Sequence, residues 1–302
     1  MENKKHWPVL NFNEMKETIA TLHQWIQIVG KIRLREMPWQ NQSWHVTLYI
    51  STCGFTTQAI PYDNKTFELE FDFKKHQLII KTSEDETADV DLYSRTVADF
   101  YNVLFEKLSS LGIDVDIHGS PNEMEPAIPF VENTVNKTYN PSHAFNIWKA
   151  MLKTNAVFTK FRGEFTGKCS PVHLFWGAFD LAVTRFSGRP APKHPGGVPN
   201  MPLEVMQEAY SEEVSSAGFW LGSDDFPEPA FYSYIYPTND NFSKQKIEPR
   251  EAFYSEDLGE FLLKYETVQK AENPEDKLYT FLKSTYVAGA NTANWDRKKL
   301  EK

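Results

Sequence analysis

The chain is poor in the residues that usually announce chemistry. Of its 302 residues only Cys53 and Cys169 are cysteines. Two distant thiols form neither a disulfide framework nor, alone, a zinc site, and free thiols suit the cytosol. Basic runs are short, among them Lys4-Lys5 and Arg297-Lys298-Lys299, against a formal net charge of −9. Nucleic-acid binders carry a basic patch to neutralise phosphates, so a nucleic-acid partner is not expected. No window approaches the ~20 apolar residues of a membrane helix, and the opening MENKKHWPVL lacks the apolar stretch of a signal peptide. The expected location is cytoplasmic, and Asn-X-Ser/Thr triplets such as Asn64-Lys65-Thr66 read as chance matches. Histidine pairs at metal-ligand spacing are missing too, so no metal site is expected, although His23, His45 and His173 remain the imidazoles that one would use.

Aromatic residues, by contrast, make up 14% of the chain, enough to build a large core and to wall a pocket. Periodicity predicts a helix over residues 12–36, with Met15, Ile19, Leu22, Ile26 and Val29 on one stripe and His23, Gln27, Gly30 and Lys31 on the next. Asn11 and Glu14 resemble a capping box. Strands are expected at 44–51, 55–62, 67–73, 77–82 and 88–92, the third alternating Phe67, Leu69, Phe71, Phe73 with acids. Ser94 is expected to cap a helix to Leu111, followed by a strand at 113–117. Residues 119–139 lack periodicity and read as a connector. A second long helix is expected over 141–165, then a hairpin turning at Gly177-Ala178, a Pro/Gly-rich segment over 188–202, strands at 213–221, 231–236 and 261–265, and a helix over 274–294.

The fold class is therefore α+β, in two similar halves: residues 1–120 and 141–302, joined by 121–140. Each half reads as a long helix, an antiparallel sheet and a closing helix, and each places a Gly-Lys pair (Gly30-Lys31, Gly167-Lys168) before a strand with an early histidine (His45, His173). That pattern is either an internal duplication or a coincidence of common residues.

Candidate chemistry concentrates in PVHLFWGAFDLAVTRFSGR, residues 171–189, which reads as buried strand yet carries His173, Asp180, Arg185 and Arg189. Buried polar groups are costly unless paired. One reading is a site in which His173 acts as acid or base with Asp180 orienting it; the other is an ion-pair network of Asp180 with Arg185 or Arg189. Arg185, Arg189, Lys168 and Lys31 would suit an anion, or would form salt bridges to Glu164, Glu204 or Glu213. The run Glu213 to Trp220 sets Ser216 and other small residues before a Phe-Trp pair, which implies close backbone approach or room for a ligand. Segment 188–202 has the length of a lid or binding loop. Cys169 would be reactive if a neighbouring cation lowered its pKa.

The residues Trp7-Pro8, TLHQWIQIVGK from Thr21, Trp44-His45-Val46, Pro61-Tyr62, SPVHLFWGAFDLAVTRFSGR from Ser170, HPGG from His194 and EVSSAGFWLG from Glu213 resemble a bacterial family of uncharacterised proteins, a domain of unknown function. The resemblance spans essentially the whole chain. It implies a soluble bacterial protein and carries over no catalytic residues and no cofactor.

The expected function is binding or transformation of a small anionic or aromatic-containing molecule. The cleft would use His173 and Asp180 for chemistry, Arg185, Arg189, Lys31, His45, Glu213 and Ser216 as polar contacts, and Trp176 and Trp220 as walls. The alternative is a non-catalytic interaction module whose buried polar residues satisfy one another. The two differ in geometry: a site needs a concave pocket with convergent polar groups.

Overall fold

Residues 7–302 are described by a computed structural model; the Lys4-Lys5 pair lies outside them. Helix α1 (Phe12–Glu36) opens the fold. Asn11 does not cap it with its side chain; its amide instead donates to Glu14 Oε1 at 2.8 Å. Every residue from Gln24 to Arg33 is buried. Both stripes read from the sequence are therefore covered, and α1 is a central helix rather than a surface one.

The first sheet comprises β1 (Tyr49–Ile50), β2 (Gly54–Thr56), β3 (Ile60–Tyr62), β4 (Lys65–Asp72), β5 (Gln77–Thr82) and β6 (Thr87–Asp91). Its order is β1-β2-β4-β5-β6, with β3 also paired to β4, and all pairings are antiparallel. The alternation of β4 buries Phe67, Leu69 and Phe71. Helix α2 (Val97–Ser110) closes this half, and its cap is Thr96, which accepts from the Asp99 N–H at 3.1 Å. Ser94 does not cap it; its hydroxyl accepts from Tyr139 N at 3.1 Å and ties down the connector. Trp25 of α1 stacks between Phe100 of α2 and Tyr139, at 4.7 and 5.4 Å. The strand expected at 113–117 does not form: the segment pairs with no strand, although Ile113, Val115 and Ile117 are buried.

After the connector, α3 (Pro141–Gly163) leads into the second sheet: β7 (His173–Phe175), β8 (Asp180–Pro190), then α4 (Leu203–Ala209), β9 (Glu212–Trp220), β10 (Ala230–Tyr236), β11 (Phe253–Ser255) and β12 (Glu260–Lys264). Helices α5 (Tyr265–Gln269), α6 (Pro274–Thr292) and α7 (Arg297–Leu300) end the chain. The sheet order is β7-β8-β9-β10-β12-β11, again wholly antiparallel. The protein is thus α+β with two six-stranded antiparallel sheets, each preceded by a long helix and followed by helix. The halves differ where β3 doubles back onto β4 and where β12 inserts between β10 and β11. Among the described residues no helix is long and apolar enough to cross a membrane.

The two sheets meet at one point. Leu48 and Leu174 exchange both backbone hydrogen bonds, at 3.0 and 2.8 Å, as an isolated antiparallel bridge. Beside it Trp176, just past β7, donates its indole N–H to Val46 O at 2.8 Å and lies against Gly30 of α1. A Cβ on Gly30 would overlap the indole ring. Gly30→Ala is expected to lower stability by about 2 kcal/mol, because a buried ring in a packed seam has little room to move. Urea denaturation checks it; a change below ~0.5 kcal/mol would mean that the seam is loose.

Candidate functional site

Strand alternation gives the second sheet two unlike faces. Residues such as Arg185 and Ile235 point towards α3 and α6: Arg185 lies over the Phe161 and Tyr286 rings, and Ile235 packs at Gly289. The opposite face forms the floor of a cavity of about 630 Å³. The floor is laid in rows by strand register. Ala182, Gly218 and Tyr232 are aligned across β8, β9 and β10, and Thr184, Ser216 and Tyr234 make the next row. His173 and Phe175 of β7 face the same space.

The roof is the excursion between β8 and β9. Ala191 N donates to Ser211 O at 3.0 Å and closes its base. Val198, Met201, Val205 and Met206 line the cavity from above. The tip is latched to the connector: Glu123 N donates to Pro199 O at 3.0 Å, Asn200 Nδ2 to Met124 O at 2.8 Å, and Asn122 Nδ2 to Asn200 O. Near the other end of the roof, Gln42 N donates to Glu208 Oε1 at 2.7 Å. The first half supplies the side wall with Lys31, Leu34, Trp44 and Val46.

Two histidines behave differently here. His23 donates from Nε2 towards Trp176 O and Gly177 O, at 3.0 and 2.8 Å, and burial pushes its pKa down to about 4. His173 is 0% exposed, lines the cavity, and neither ring nitrogen has a hydrogen-bond partner. Burial lowers its pKa to about 3, so the ring is neutral at physiological pH and presents one donor and one acceptor. An unsatisfied buried polar group costs stability. His173→Leu is therefore expected to stabilise the fold by about 1 kcal/mol, read as a rise in Tm of about 2–4 °C. A lower Tm would show that the imidazole is structurally required.

Asp180 and Glu123 supply the acidic character of the cavity. Asp180 is 7% exposed and accepts from the Tyr232 hydroxyl. Gly218 makes that bond feasible, since a Cβ there would overlap the Tyr232 ring and hydroxyl. Burial raises the Asp180 pKa to about 6, against the opposing effect of the tyrosine. Glu123 lies over Gly177, where a side chain would collide with its carboxyl group, and its own backbone is left-handed at φ 57°. Burial first, and the charge of Asp180 second, raise the Glu123 pKa to about 7. The same two causes raise Glu260 on β12 to about 7. Tyr210 and Tyr234 share a hydroxyl–hydroxyl bond at 2.8 Å, and Thr184 and Ser216 another at 2.9 Å. Lys31 donates to Asn122 Oδ1 and sits 5.5 Å from the Trp176 ring centroid, with burial lowering its pKa to about 8.

Of the residues expected to form the cleft, His173, Asp180, Lys31, Trp176 and Ser216 line one cavity, and segment 188–202 contributes to its roof. The others do not reach it. Arg185 projects to the helix side, donating to Phe161 O with its guanidinium 3.5 Å from the Phe161 centroid. Arg189 is held by Glu213 at 2.6 Å, at the surface, and Lys168 by Glu212. His45 is buried elsewhere, with Nδ1 accepting from Gln40 N at 3.2 Å. Trp220 stacks on Phe226. No hydrogen bond joins Asp180 to His173: Tyr232 donates to Asp180 Oδ2, and both His173 ring nitrogens are without a partner. Cys169 is not activated: burial raises its pKa to about 11 despite Arg162 and Arg185. No group of three or more His, Cys, Asp or Glu among the described residues could hold a metal ion. Sequence reasoning misses Glu123, Asn122, Tyr232 and Tyr234; Gly177 and Gly218, covered by Glu123 and Tyr232 respectively, are the signals that could have found two of them.

A family match runs along this whole arrangement, from Trp7 to Lys302, and takes in both walls of the cavity, its roof and its latch. The chain belongs to DUF5996, a family of unknown function. No curated protein and no solved structure matches it.

Proposed function

We propose that this DUF5996 member binds a small organic molecule with a flat, apolar body in the cavity between the second sheet and its roof. The observation that carries the reading is His173: a fully buried imidazole with two unpartnered nitrogens, on a residue that lines a largely apolar cavity of about 630 Å³. Such a group costs stability unless something in the cavity pairs with it. Trp44, Phe175, Trp176 and Phe186 offer ring faces and edges to an aromatic or aliphatic body. An interaction module with His173, Asp180 and Arg185 satisfied by one another is disfavoured, since the three are separated by the sheet or by other partners.

If the bound molecule is also transformed, proton transfer falls to Glu123 and Asp180, whose pKa values of about 7 and 6 lie near neutrality. His173, at about 3, is a hydrogen-bonding group at that pH. A cytoplasmic role in a bacterial cell suits the free thiols, and the shared order of helix, antiparallel sheet and helix supports an internal duplication.

The test is native mass spectrometry of freshly purified protein, followed by a thermal-shift screen of aromatic metabolites, repeated on Ala182→Phe, which puts a ring into the cavity floor. Retained ligand or stabilising hits in the wild type that disappear in the folded variant are expected. Hits that persist with the cavity filled would place binding elsewhere and remove this reading.

A further inference from the structure

The walls of the cavity are unevenly charged. Glu123 and Asp180 both line it, and Glu260 lies close enough to feel the charge of Asp180. None of the three carboxyl groups forms a salt bridge among the described residues. The arginines that would neutralise them are elsewhere: Arg185 under the sheet and Arg189 on Glu213. Lys31 is the one cation on the described lining, but its amine is bonded to Asn122 and packed against Trp176. It forms no salt bridge with either acid among the described residues. Two acids are thus held in one low-dielectric space without a salt-bridge partner, an arrangement relieved by protonation or by a cation that joins them.

The His173 ring is an independent sign that the cavity is built for a ligand. The chemistry of that ligand follows from the remaining walls. A metal ion does not fit as the natural cation, because no suitable donor group of three converges among the described residues. An organic cation does fit: Tyr232, Phe175 and Trp176 line the same cavity as the acids, and aromatic rings suit an ammonium and the carbon skeleton that carries it.

Building on the pocket reading above, we propose that the ligand is an organic amine, its ammonium group held by Glu123 and Asp180 and its apolar body lying against the aromatic wall. His173 then serves a neutral polar group on that body, as donor or acceptor. The latch through Asn122, Glu123 and Asn200 places one of the two acids on the segment that holds the roof down, so the amine and the closed roof engage the same residue.

Three matched probes test this by calorimetric titration near neutral pH: 2-phenylethylamine, 2-phenylethanol and 3-phenylpropionate, with wild type, Glu123→Gln and the Glu123→Gln, Asp180→Asn double variant. Asparagine at 180 can still accept from Tyr232, and the single glutamine variant serves if the double variant folds poorly. The amine is expected to bind at least about tenfold tighter than the alcohol, with the carboxylate weakest. Glu123→Gln should cut amine affinity several-fold and the double variant more, in each case a larger loss than the same variant causes for the alcohol. Alcohol or carboxylate binding as tightly as the amine would overturn the amine assignment and leave the pocket standing. Failure of all three probes to bind at millimolar concentration would overturn both.

Discussion

Replacing Arg185 with alanine is expected to cost about 4 kcal/mol of stability, because it empties a packed site and removes a charge-assisted hydrogen bond at once. Arg185 is 2% exposed and packed over three rings, with its guanidinium 3.5 Å from the Phe161 centroid, 4.3 Å from Tyr286 and 5.1 Å from Phe165. It also donates to Phe161 O at the end of α3. Truncation removes the plate between helix and sheet, takes away one of the two donors to Phe161 O, which keeps the Glu164 N–H at 3.3 Å, and opens a cavity lined by aromatic edges. Arg185→Met is the informative companion: it keeps much of the volume and buries no charge, and should cost only about 1 kcal/mol. Chemical denaturation of both variants checks the pair. Near-wild-type stability of Arg185→Ala, or loss of ligand by a fully folded Arg185→Met, would return this arginine to the binding site.

Asp180→Asn is expected to act in the opposite direction, with a size that depends on pH. The folded-state pKa of about 6 lies above the ordinary 3.8, so the folded protein holds this proton more tightly than the unfolded chain. The penalty for burying the carboxylate is absent below about pH 4 and fully developed above about pH 7. Asparagine keeps an acceptor for Tyr232 and carries no charge. Its advantage over the wild type should therefore be near zero at pH 4 and reach about 2–3 kcal/mol at pH 8. Melting curves across that range measure it. An equal effect at both ends would show that packing, not charge, distinguishes the variants. Under the amine proposal, the protein gives up this stability for binding, as sites commonly do.

The elements that repeat a pattern are the ones legible in the sequence. Phe12–Glu36, the alternation of Phe67 to Phe73, and the hairpin through Gly177-Ala178 all follow from apolar periodicity, which depends on local geometry alone. Ends and short pieces do not: Thr96 rather than Ser94 caps α2, and Ile113, Val115 and Ile117 are buried in a segment that pairs with no strand, because tertiary contacts decide between equally plausible local signals. The site divides along the same line. Period two along β8 separates Asp180 and Thr184 from Arg185, whereas nearness in sequence groups polar residues that the pleat sends to opposite faces. Glu123 is hidden for a different reason. It sits in an aperiodic stretch, and its role arises from long-range contacts with Gly177 and Pro199 that no local pattern records.

The single bridge between Leu48 and Leu174 has a bearing on how this chain can change over time. A β-sheet edge left open is a template for sticking to other chains, and here each half covers a short edge of the other. A gene encoding either half alone would expose that edge and would also lose one side of the cavity, since Lys31 comes from one half and His173 from the other. Edge protection and the cavity therefore depend on the same union of the two halves. Cutting the chain between its halves would lose both in one step.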